Sequence, residues 1–349
     1  MSEHKRRVHY SGKYPKKFEE KYKEHNPEKY ADTIKHVIEK GSTPAGMHIS
    51  ICVNEILECF DIKPGQQGLD CTFGYGGHTR KMLEQLKGDG KMVVLDVDPI
   101  ESAKSLERLR NDNYGEDILS LELTNFANID EVVAKYGKFD FILADLGVSS
   151  MQIDNPERGF SYKVHGPLDL RMNPHKGISA AERLSELDKD EITGMLIDNS
   201  DEPFAEEIAK EIIKNRRSGK KIETTTDLRE ILEKTVEANS KGMSESEKKE
   251  LKKKTCQRVF QALRIDVNNE YEVLDSLLSK IPDALNAGGK VVFLTFHSGE
   301  DRLVKRAFKD GLALGVYSDC AKDVIRPGEE ECRINPRAKS TKLRWAVRN

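Results

Sequence analysis

The sequence predicts an α/β protein built on a parallel sheet, into which an all-helical region is inserted. Short apolar segments alternate with amphipathic helical segments up to Ser150, and a glycine-rich turn follows the first of these strands. After Ser150 helical periodicity takes over for a long stretch, and strand patterns return only near the C-terminus. This order is typical of a doubly wound sheet with an insertion.

Composition restricts the class of protein. The chain has 349 residues, 37% of them hydrophobic, which is enough for a sizeable core. Its net charge is -3, so any basic surface must be local. The six cysteines form no C-x-x-C pair and no zinc spacing, and neither a signal peptide nor a long apolar span is present. We therefore expect free thiols, no structural metal, no membrane association and a cytoplasmic location.

The N-terminal region, residues 1–45, differs from the rest of the chain. It is charged, dotted with tyrosines and contains the triplet Lys5–Arg7. One interpretation is a solvated, partly helical tail, and the other is a basic arm that grips RNA phosphates. The sequence leaves both open.

The elements before Ser150 follow in the order expected for parallel strands joined by right-handed crossovers. Helices are predicted at residues 52–60, 79–86 and 99–109. Strands are predicted at residues 68–72, 92–96, 118–123 and 139–146. Ligands should bind beyond the carboxyl ends of these strands, where Gly74 to His78, Asp96 and Asp145 would project.

After Ser150 the pattern indicates a helical lobe. Its predicted helices contain the segments ISAAERLSEL, DEITGMLIDN, EPFAEEIAKEIIKNRR, TTTDLREILEKTV and CQRVFQALRI. The charged stretch at residues 240–255 between two of them is predicted to be a mobile loop. A long helix around residues 266–285 leads to a strand at 291–296, and the last strand is predicted at 341–348.

The glycine-rich segment Gly68–Thr79, followed by a strand that ends at Asp96, predicts a pocket for a nucleoside cofactor. An acid in that position accepts hydrogen bonds from ribose hydroxyls. A dinucleotide fingerprint starting at Gly74 would need glycine or alanine at position 79, which is Thr79. S-adenosylmethionine has the ribose and adenine without the pyrophosphate, so a methyl donor fits better than NAD. The alternative is a purely structural turn with glycine at positive φ.

The fourth strand places Asp145 at its carboxyl edge, with a polar loop after it. In methyltransferases that act on exocyclic amines, this edge holds the target nitrogen, which an acceptor must orient toward the methyl group. The candidates for this catalytic role are Asp145, Ser149 and Ser150. Asp145 could instead cap the strand end or bind the cofactor.

Long motifs now identify a family resemblance. In chain order from about His48, they are GYGGHT, LDVDP, DLGVSSMQID, ERGFSY, GPLDLRMNP, CQRVFQALRIDVN, LTFHSGEDRLVK and NPRAKSTKLR. The chain resembles the RsmH (MraW) family of S-adenosylmethionine-dependent rRNA cytosine-N4 methyltransferases. The resemblance implies a Rossmann-like class I methyltransferase sheet with an inserted helical domain, acting on a cytosine in the decoding region of small-subunit RNA.

The resemblance also implies a domain division and a set of site residues. The basic arm would be 1–45, the methyltransferase domain 46–152 and 264–349, and the inserted helical domain 153–263. The implied cofactor contacts are Gly76, Gly77, His78, Asp96, Phe126, Asp145 and Gln152. Phe126 suits adenine stacking, although a lone loop phenylalanine also serves as a core anchor.

Several arginines in the matched segments are candidate contacts to RNA phosphates, because a cytosine of the ribosomal RNA must be splayed from its stack to react. They are Arg158, Arg171, Arg258, Arg264 and Arg302. Each could instead pair with a nearby acid such as Asp154, Asp169 or Glu300. The tail adds a local basic cluster of Arg337, Lys339, Lys342 and Arg344. His297 either approaches the base or is a hydrogen-bonded helix cap.

The chain departs from the family pattern at Tyr75 and Val97, where arginine is common, and at Gly299, where leucine is common. Two cationic side chains beside the cofactor pocket are thus absent, which suggests a divergent paralogue with a shifted target. The hypotheses are therefore cytosine-N4 methylation of small-subunit RNA, the same chemistry on another RNA or base, and a non-catalytic RNA-binding assembly factor. A homodimer is left open.

Overall fold

The computed structural model describes residues 50–349, so the predicted arm at residues 1–45 lies outside the described part. The sheet has seven strands. They are β1 (Gln67–Asp70), β2 (Lys91–Leu95), β3 (Leu119–Glu122), β4 (Phe139–Asp145), β5 (Leu285–Thr295), β6 (Tyr317–Cys320) and β7 (Lys342–Arg348). The predicted α/β fold class is confirmed.

The strand order is β3-β2-β1-β4-β5-β7-β6. The strands from β3 to β5 are parallel, whereas β7 runs antiparallel to β5 and β6 antiparallel to β7. The chain reverses its direction of winding between β1 and β4. The carboxyl ends of these two strands therefore open the crevice in which doubly wound sheets bind ligands.

Helices cover both faces of the sheet and form the lobe. Around the sheet lie α1 (Val53–Phe60), α2 (Gly77–Leu86), α3 (Pro99–Asn111), α4 (Ile129–Tyr136), α5 (Ser150–Asp154), α11 (Glu270–Ala284), α12 (Ser298–Ala313) and α13 (Glu329–Ile334). The lobe contains α6 (Ala180–Glu186), α7 (Lys189–Ser200), α8 (Ala205–Arg217), α9 (Thr225–Asn239) and α10 (Glu245–Asn268). Within residues 50–349, no helix combines the length and apolar character needed to span a bilayer.

Apolar side chains form one core on each face of the sheet and a third inside the lobe. On one face Phe141 of β4 packs against Phe60 of α1, with ring centroids 5.3 Å apart. On the other face Phe293 of β5 contacts Phe308 of α12 at 5.8 Å. Both faces are buried, which explains why the central strands are continuous apolar runs rather than alternating ones.

The prediction of a mobile loop at residues 240–255 is wrong. α10 begins at Glu245, and Ser244 caps it: the Ser244 amide donates to Glu247 Oε2 at 2.8 Å, and Ser244 Oγ faces the Glu247 amide. Lys248 and Lys252 both bind Glu237 of α9, at 2.8 and 2.6 Å. The charges that suggested a solvated loop are therefore ion pairs along a helix surface.

α10 has 24 residues and crosses residue 263, the predicted end of the inserted domain. Val259 and Phe260 belong to the core of the lobe, whereas Arg264 and Asn268 farther along the same helix line the cavity described below. The predicted domain boundaries, between residues 152 and 153 and between residues 263 and 264, stay predictions.

Candidate cofactor and substrate site

A cavity of about 390 Å³ lies at the carboxyl ends of β1, β2 and β4. The glycine turn forms one wall, and the ends of β2 and β4 form the next. Other walls come from the loop after β3, from α10 and α11, and from the C-terminal tail. Six of the seven residues implied as cofactor contacts line this cavity, and Gly76 is the exception. The six are Gly77, His78, Asp96, Phe126, Asp145 and Gln152.

Gly76 shapes the turn from behind. It has φ of 76° and precedes the first residue of α2. A Cβ at this position would lie 3.1 Å from the Phe73 ring and 3.3 Å from Leu109. Positive φ and close packing together require glycine here. The turn therefore carries its backbone, rather than side chains, along the wall of the cavity.

Thr79 explains why the dinucleotide fingerprint fails at its third glycine. Its hydroxyl donates to Asp70 Oδ2 at 2.6 Å, and both residues are buried. The other oxygen, Asp70 Oδ1, accepts from the amide of Thr72 at 3.0 Å. Burial raises the pKa of Asp70, so the threonine helps to hold an acid beneath the pocket. Sequence reasoning used Thr79 only to exclude NAD and missed this role.

Asp96 directly follows β2, and its carboxylate connects two backbone turns through hydrogen bonds. Its Oδ2 accepts from the Gly74 amide at 2.8 Å, and its Oδ1 accepts from the Asp98 amide at 2.8 Å. Burial raises the pKa of Asp96 to about 6. A carboxylate has about four lone-pair positions, so it can still accept hydrogen bonds from ribose hydroxyls. A contact from Asp96 to the ribose stays a prediction.

Asp98 is a site residue that sequence reasoning missed. It caps α3, accepting from the amides of Ile100 and Glu101, and its Oδ2 accepts from Gln152 Nε2 at 3.2 Å and Arg158 Nη1 at 2.6 Å. Burial alone would raise its pKa, yet the bonds from Arg158 hold the pKa of Asp98 below its usual value. The signal was the Asp-Pro pair that commonly opens a helix.

Asp145 ends β4 with its two oxygens in different surroundings. Its amide donates to Thr72 Oγ1 at 2.7 Å, and Oδ2 lies 3.4 Å from His78 Nδ1. Oδ1 is buried and has no hydrogen-bond partner among the described residues. Burial raises the pKa of Asp145 to about 6, although His78 acts in the opposite direction. The side chain as a whole is 28% exposed, so Oδ2 is the oxygen that a ligand in the cavity can reach.

The two serines predicted beside Asp145 occupy the start of α5. Ser149 caps the helix: its Oγ accepts from the Gln152 amide at 3.2 Å, and its own amide donates to Gln152 Oε1 at 2.9 Å. Its hydroxyl is thus explained by helix capping. Ser150 is the first residue of α5. A catalytic role for either serine stays a prediction.

Phe126 lines the cavity and also packs against the core. It starts the short 3₁₀ helix Phe126–Asn128, whose cap is Asn125. Its ring is half-buried and contacts the apolar core on that face of the sheet. Stacking of adenine on this ring stays a prediction.

Three of the five candidate RNA-binding arginines are held in ion pairs. Arg158 is buried against Asp98, Arg171 makes a two-pronged pair with Asp169 at 2.8 and 2.6 Å, and Arg264 makes another with Glu270 at 2.7 and 2.8 Å. For these three arginines the structure shows the alternative to RNA contact, which is an ion pair with a nearby acid. A buried Arg158 is not placed to contact RNA phosphate in this structure.

The remaining arginines are more accessible. Arg258 lies 3.8 Å from Glu202 with about a third of its side chain exposed (36%), and Arg302 is exposed on α12. In the tail, Arg344 is buried against Asp301, Lys342 binds the same acid at 3.1 Å, and Lys339 is exposed. Arg337 binds Asp154 at 3.0 Å, so three of the four cations of the predicted basic cluster are in ion pairs.

Two departures from the family pattern have local explanations. The Arg108 guanidinium of α3 lies 3.8 Å from the centre of the Tyr75 ring, so a cation is present beside the glycine turn. A Cβ on Gly299 would lie 2.0 Å from the Tyr271 hydroxyl, so the tyrosine requires glycine there. Nothing in the structure explains Val97. Tyr75 and Gly299 therefore give little support to a shifted target.

His297 is the residue before α12 and is nine-tenths buried. Its Nε2 lies 3.2 Å from Glu300 Oε1, and its ring centroid lies 6.0 Å from that of Tyr271. Glu300 also accepts from the Phe296 amide at 2.8 Å. Glu300 thus caps α12 through backbone amides, whereas neither ring nitrogen of His297 has a hydrogen-bond partner among the described residues, so both roles considered for His297 stay open.

The fold and the site together define a transferase that binds a nucleoside cofactor. Residues 45–349 match the model of the MraW methylase family. The chain is 64% identical over 346 residues to "Ribosomal RNA small subunit methyltransferase H 1" of Agathobacter rectalis, covering 99% of this chain and 98% of the relative. It is 54% identical to "Ribosomal RNA small subunit methyltransferase H 2" of Alkaliphilus metalliredigens, covering 98% and 97%.

A more distant relative, "Ribosomal RNA small subunit methyltransferase H" of Thioalkalivibrio sulfidiphilus, is 38% identical and covers 87% of this chain and 98% of its own length. The chain therefore belongs to the MraW methylase family. It is a methyltransferase whose cofactor is S-adenosylmethionine. The cavity suits this cofactor, with the carboxylate of Asp96, the aromatic ring of Phe126 and the partly exposed carboxylate of Asp145 in its lining.

Proposed function

We propose that this protein transfers the methyl group of S-adenosylmethionine to the exocyclic N4 of a cytosine in small-subunit ribosomal RNA, in the decoding region. The observation that carries the proposal is the partly exposed carboxylate of Asp145 at the edge of β4, in the same cavity as Asp96 and Phe126. The names of the relatives supply the class of RNA.

The chemistry needs an acceptor at this place. The lone pair of a cytosine amine is delocalised into the ring, so the amine is a poor nucleophile. A carboxylate oxygen that accepts one N–H of the amine both orients the nitrogen and stabilises the positive charge that grows on it. The cofactor supplies the activated methyl group on its sulfonium. The backbone amide of Asp145 donates a hydrogen bond to Thr72 Oγ1, which holds the residue in place for this task.

The RNA must present the target base unpaired and unstacked. A cytosine in a helix or stack cannot reach the cavity, so the target nucleotide must be splayed out before reaction. Exposed cations such as Arg302 and Lys339 are available to bind the flanking phosphates. Arg258, partly exposed on α10, is a third candidate.

Two other functions stay open to test. Another base or RNA as acceptor finds its remaining support in Val97, because Arg108 and Tyr271 account for Tyr75 and Gly299. A non-catalytic assembly factor would not need Asp96 and Asp145 in a formed cavity, yet both line it.

The test is methyl transfer from labelled S-adenosylmethionine to small ribosomal subunits taken from a strain that lacks this protein. Mass spectrometry of the digested RNA identifies the methylated nucleoside and its position. N4-methylcytidine in the decoding region is the expected result. Label on another nucleoside would replace the acceptor, and no label on any RNA would favour the assembly factor.

A matched pair of variants links the activity to the site. Asp145→Asn keeps the shape of the side chain but exchanges one acceptor oxygen for a donor, and we expect methyl transfer to fall by at least about a hundredfold. Asp140→Asn on the same strand serves as the control, because Asp140 binds Gln67 and Asn286 at the far end of the sheet. Equal activity of wild type and Asp145→Asn would remove Asp145 from the mechanism.

A further inference from the structure

We propose that His78 and Asp145 form a proton-sharing pair that takes up the proton which the target amine loses, with His78 acting as a positioning residue through Asp145. This inference rests on the proposed function and deepens it. It assigns a chemical role to the His78 side chain, which the family resemblance had placed only among the cofactor contacts.

The tautomer of His78 follows from its surroundings. Its Nε2 lies 2.9 Å from the carbonyl oxygen of Ile51. A carbonyl only accepts hydrogen bonds, so Nε2 carries a hydrogen. In the neutral ring Nδ1 is then a bare lone pair, and it faces Asp145 Oδ2 at 3.4 Å. Two acceptors face each other, which leaves a place for one proton between them.

One oxygen of the carboxylate reaches the cavity. Asp145 Oδ1 is buried and lacks a partner among residues 50–349, whereas the side chain as a whole is 28% exposed, so the accessible oxygen is Oδ2. The Thr72 hydroxyl accepts from the backbone amide of Asp145 and fixes it. His78 is nearly buried in the first turn of α2, directly after the glycine turn. Thus Oδ2 can meet the amine from the cavity while it lies next to His78 Nδ1.

The step balances without a further reactant. The N4 lone pair forms a bond to the methyl carbon as the carbon–sulfur bond breaks, and the electron pair of that bond remains on sulfur. The positively charged nitrogen then releases its proton to Asp145 Oδ2, which passes it to His78 Nδ1, 3.4 Å away. The pair ends as imidazolium and carboxylate, and passes the proton to solvent when product leaves.

The charges around the pair favour uptake of a proton. Asp70 beneath it and Glu300 of α12 both act on Asp145 and raise its pKa, as burial does. Glu331 of α13 lies near enough to interact with His78, and Cys52 is the nearby thiol. Negative charge on these neighbours raises the proton affinity of the His78–Asp145 pair when it holds no shared proton.

The first test needs no RNA. Nitrogen-15 NMR of histidine-labelled protein reports which ring nitrogen carries the hydrogen. We expect the hydrogen of the neutral His78 ring on Nε2, and an Nδ1 resonance that shifts in Asp145→Asn because the carboxylate that faces it is replaced by an amide. A hydrogen on Nδ1 of the neutral ring, or an Nδ1 resonance that Asp145→Asn leaves unchanged, would overturn the pair whatever the enzyme methylates.

The second test follows single-turnover methylation of small subunits against pH, using His78→Asn. We expect the rate to fall about a hundredfold, the typical contribution of proton transfer, with a much smaller loss of cofactor affinity by calorimetry. The acid limb of the profile should move to lower pH, because Asp145 alone must then be ionised rather than the whole pair emptied. The matched control is His165→Asn, an exposed histidine bound to Thr226 in the lobe.

An unchanged pH profile in His78→Asn, or a loss of affinity as large as the loss of rate, would show that His78 is only structural and overturn the inference. If the wild-type protein methylates no RNA, the proposed function fails, and the NMR experiment alone decides whether the pair exists.

Discussion

Asp98 shows how a residue can organise the site without being one of its expected ligands. Its carboxylate caps α3 and binds Gln152 and Arg158, so it connects the end of β2 with the loop after β4. Arg158 also donates to the carbonyl oxygens of Arg171 and Met172. Two residues that the family resemblance singled out are therefore held in place by one buried acid.

Asp96→Asn should weaken binding of S-adenosylmethionine by about 1.5–3 kcal/mol, because a hydrogen bond to a charged acceptor is lost. The pKa of Asp96 is raised to about 6, so the wild-type affinity should be constant above this pH and decline as pH falls through it. Calorimetry across this range measures both effects.

The control for this measurement is Asp89→Asn, an exposed residue in the turn before β2. Asp145 also titrates near pH 6, so Asp96→Asn should retain a shallower decline in affinity rather than none. An affinity equal to that of the wild type at pH 8 would disprove the ribose assignment.

Gly299→Leu should destabilise the protein by about 1–3 kcal/mol, because its side chain would enter the space of the Tyr271 hydroxyl. The double variant Gly299→Leu with Tyr271→Leu should recover much of this loss, since the smaller residue vacates that space. Urea unfolding of the two single variants and the double variant gives the coupling energy. Additive effects would mean that the two positions are independent.

Among the helices, α10 is the one whose sequence was misread. Ser244→Ala removes its capping hydroxyl and should cost about 1 kcal/mol of stability. Hydrogen exchange at residues 245–252 should also accelerate, because the first turn frays. Ser185→Ala in α6 is the control, since its exposed hydroxyl bonds a carbonyl within its own helix and caps nothing. Equal exchange in wild type and Ser244→Ala would show that the ion pairs to Glu237 hold the turn alone.

The strands at the centre of the sheet were predictable because they are buried on both faces and read as apolar runs. β6 was not predicted: its sequence YSDC is half polar, with Ser318 and Asp319 exposed at the edge of the sheet. The first half of α10 was missed because its first turns bury little, and its i,i+3 pairs of lysine and glutamate resemble the charge pattern of a solvated loop.

The site residues likewise divide into those that the sequence predicts and those that it does not. Asp96 and Asp145 could be predicted because each ends a strand, and strand ends meet at one edge of a parallel sheet. The roles of Asp98, Thr79 and the His78 side chain depend on partners far away in the chain, which no local pattern reveals. The pairing of Gly299 with Tyr271 is of this kind too.

The molecule as a whole depends on how the lobe is joined to the sheet. Arg264 of α10 and Glu270 of α11 form a two-pronged pair whose side chains are 16% and 10% exposed. Breaking a buried pair leaves one charge without a partner. Arg264→Gln should therefore destabilise the protein by about 3 kcal/mol in urea unfolding.

The control is Arg171→Gln, because Arg171 pairs with an acid only two positions away and does not join α10 to α11. Hydrogen exchange should increase along α10 and α11 in Arg264→Gln and not in the control. A uniform increase over the whole chain would instead indicate a general loss of stability rather than a loosened junction.

The length of α10 has a consequence for regulation. A helix of 24 residues is a rod of about 36 Å, and a rod turns as one piece. The same helix carries Val259 in the core of the lobe and Arg264 and Asn268 at the cavity, so a tilt of the lobe would move both cavity residues. We therefore expect a fragment of RNA that binds only the lobe to change the affinity for the cofactor, which calorimetry measures.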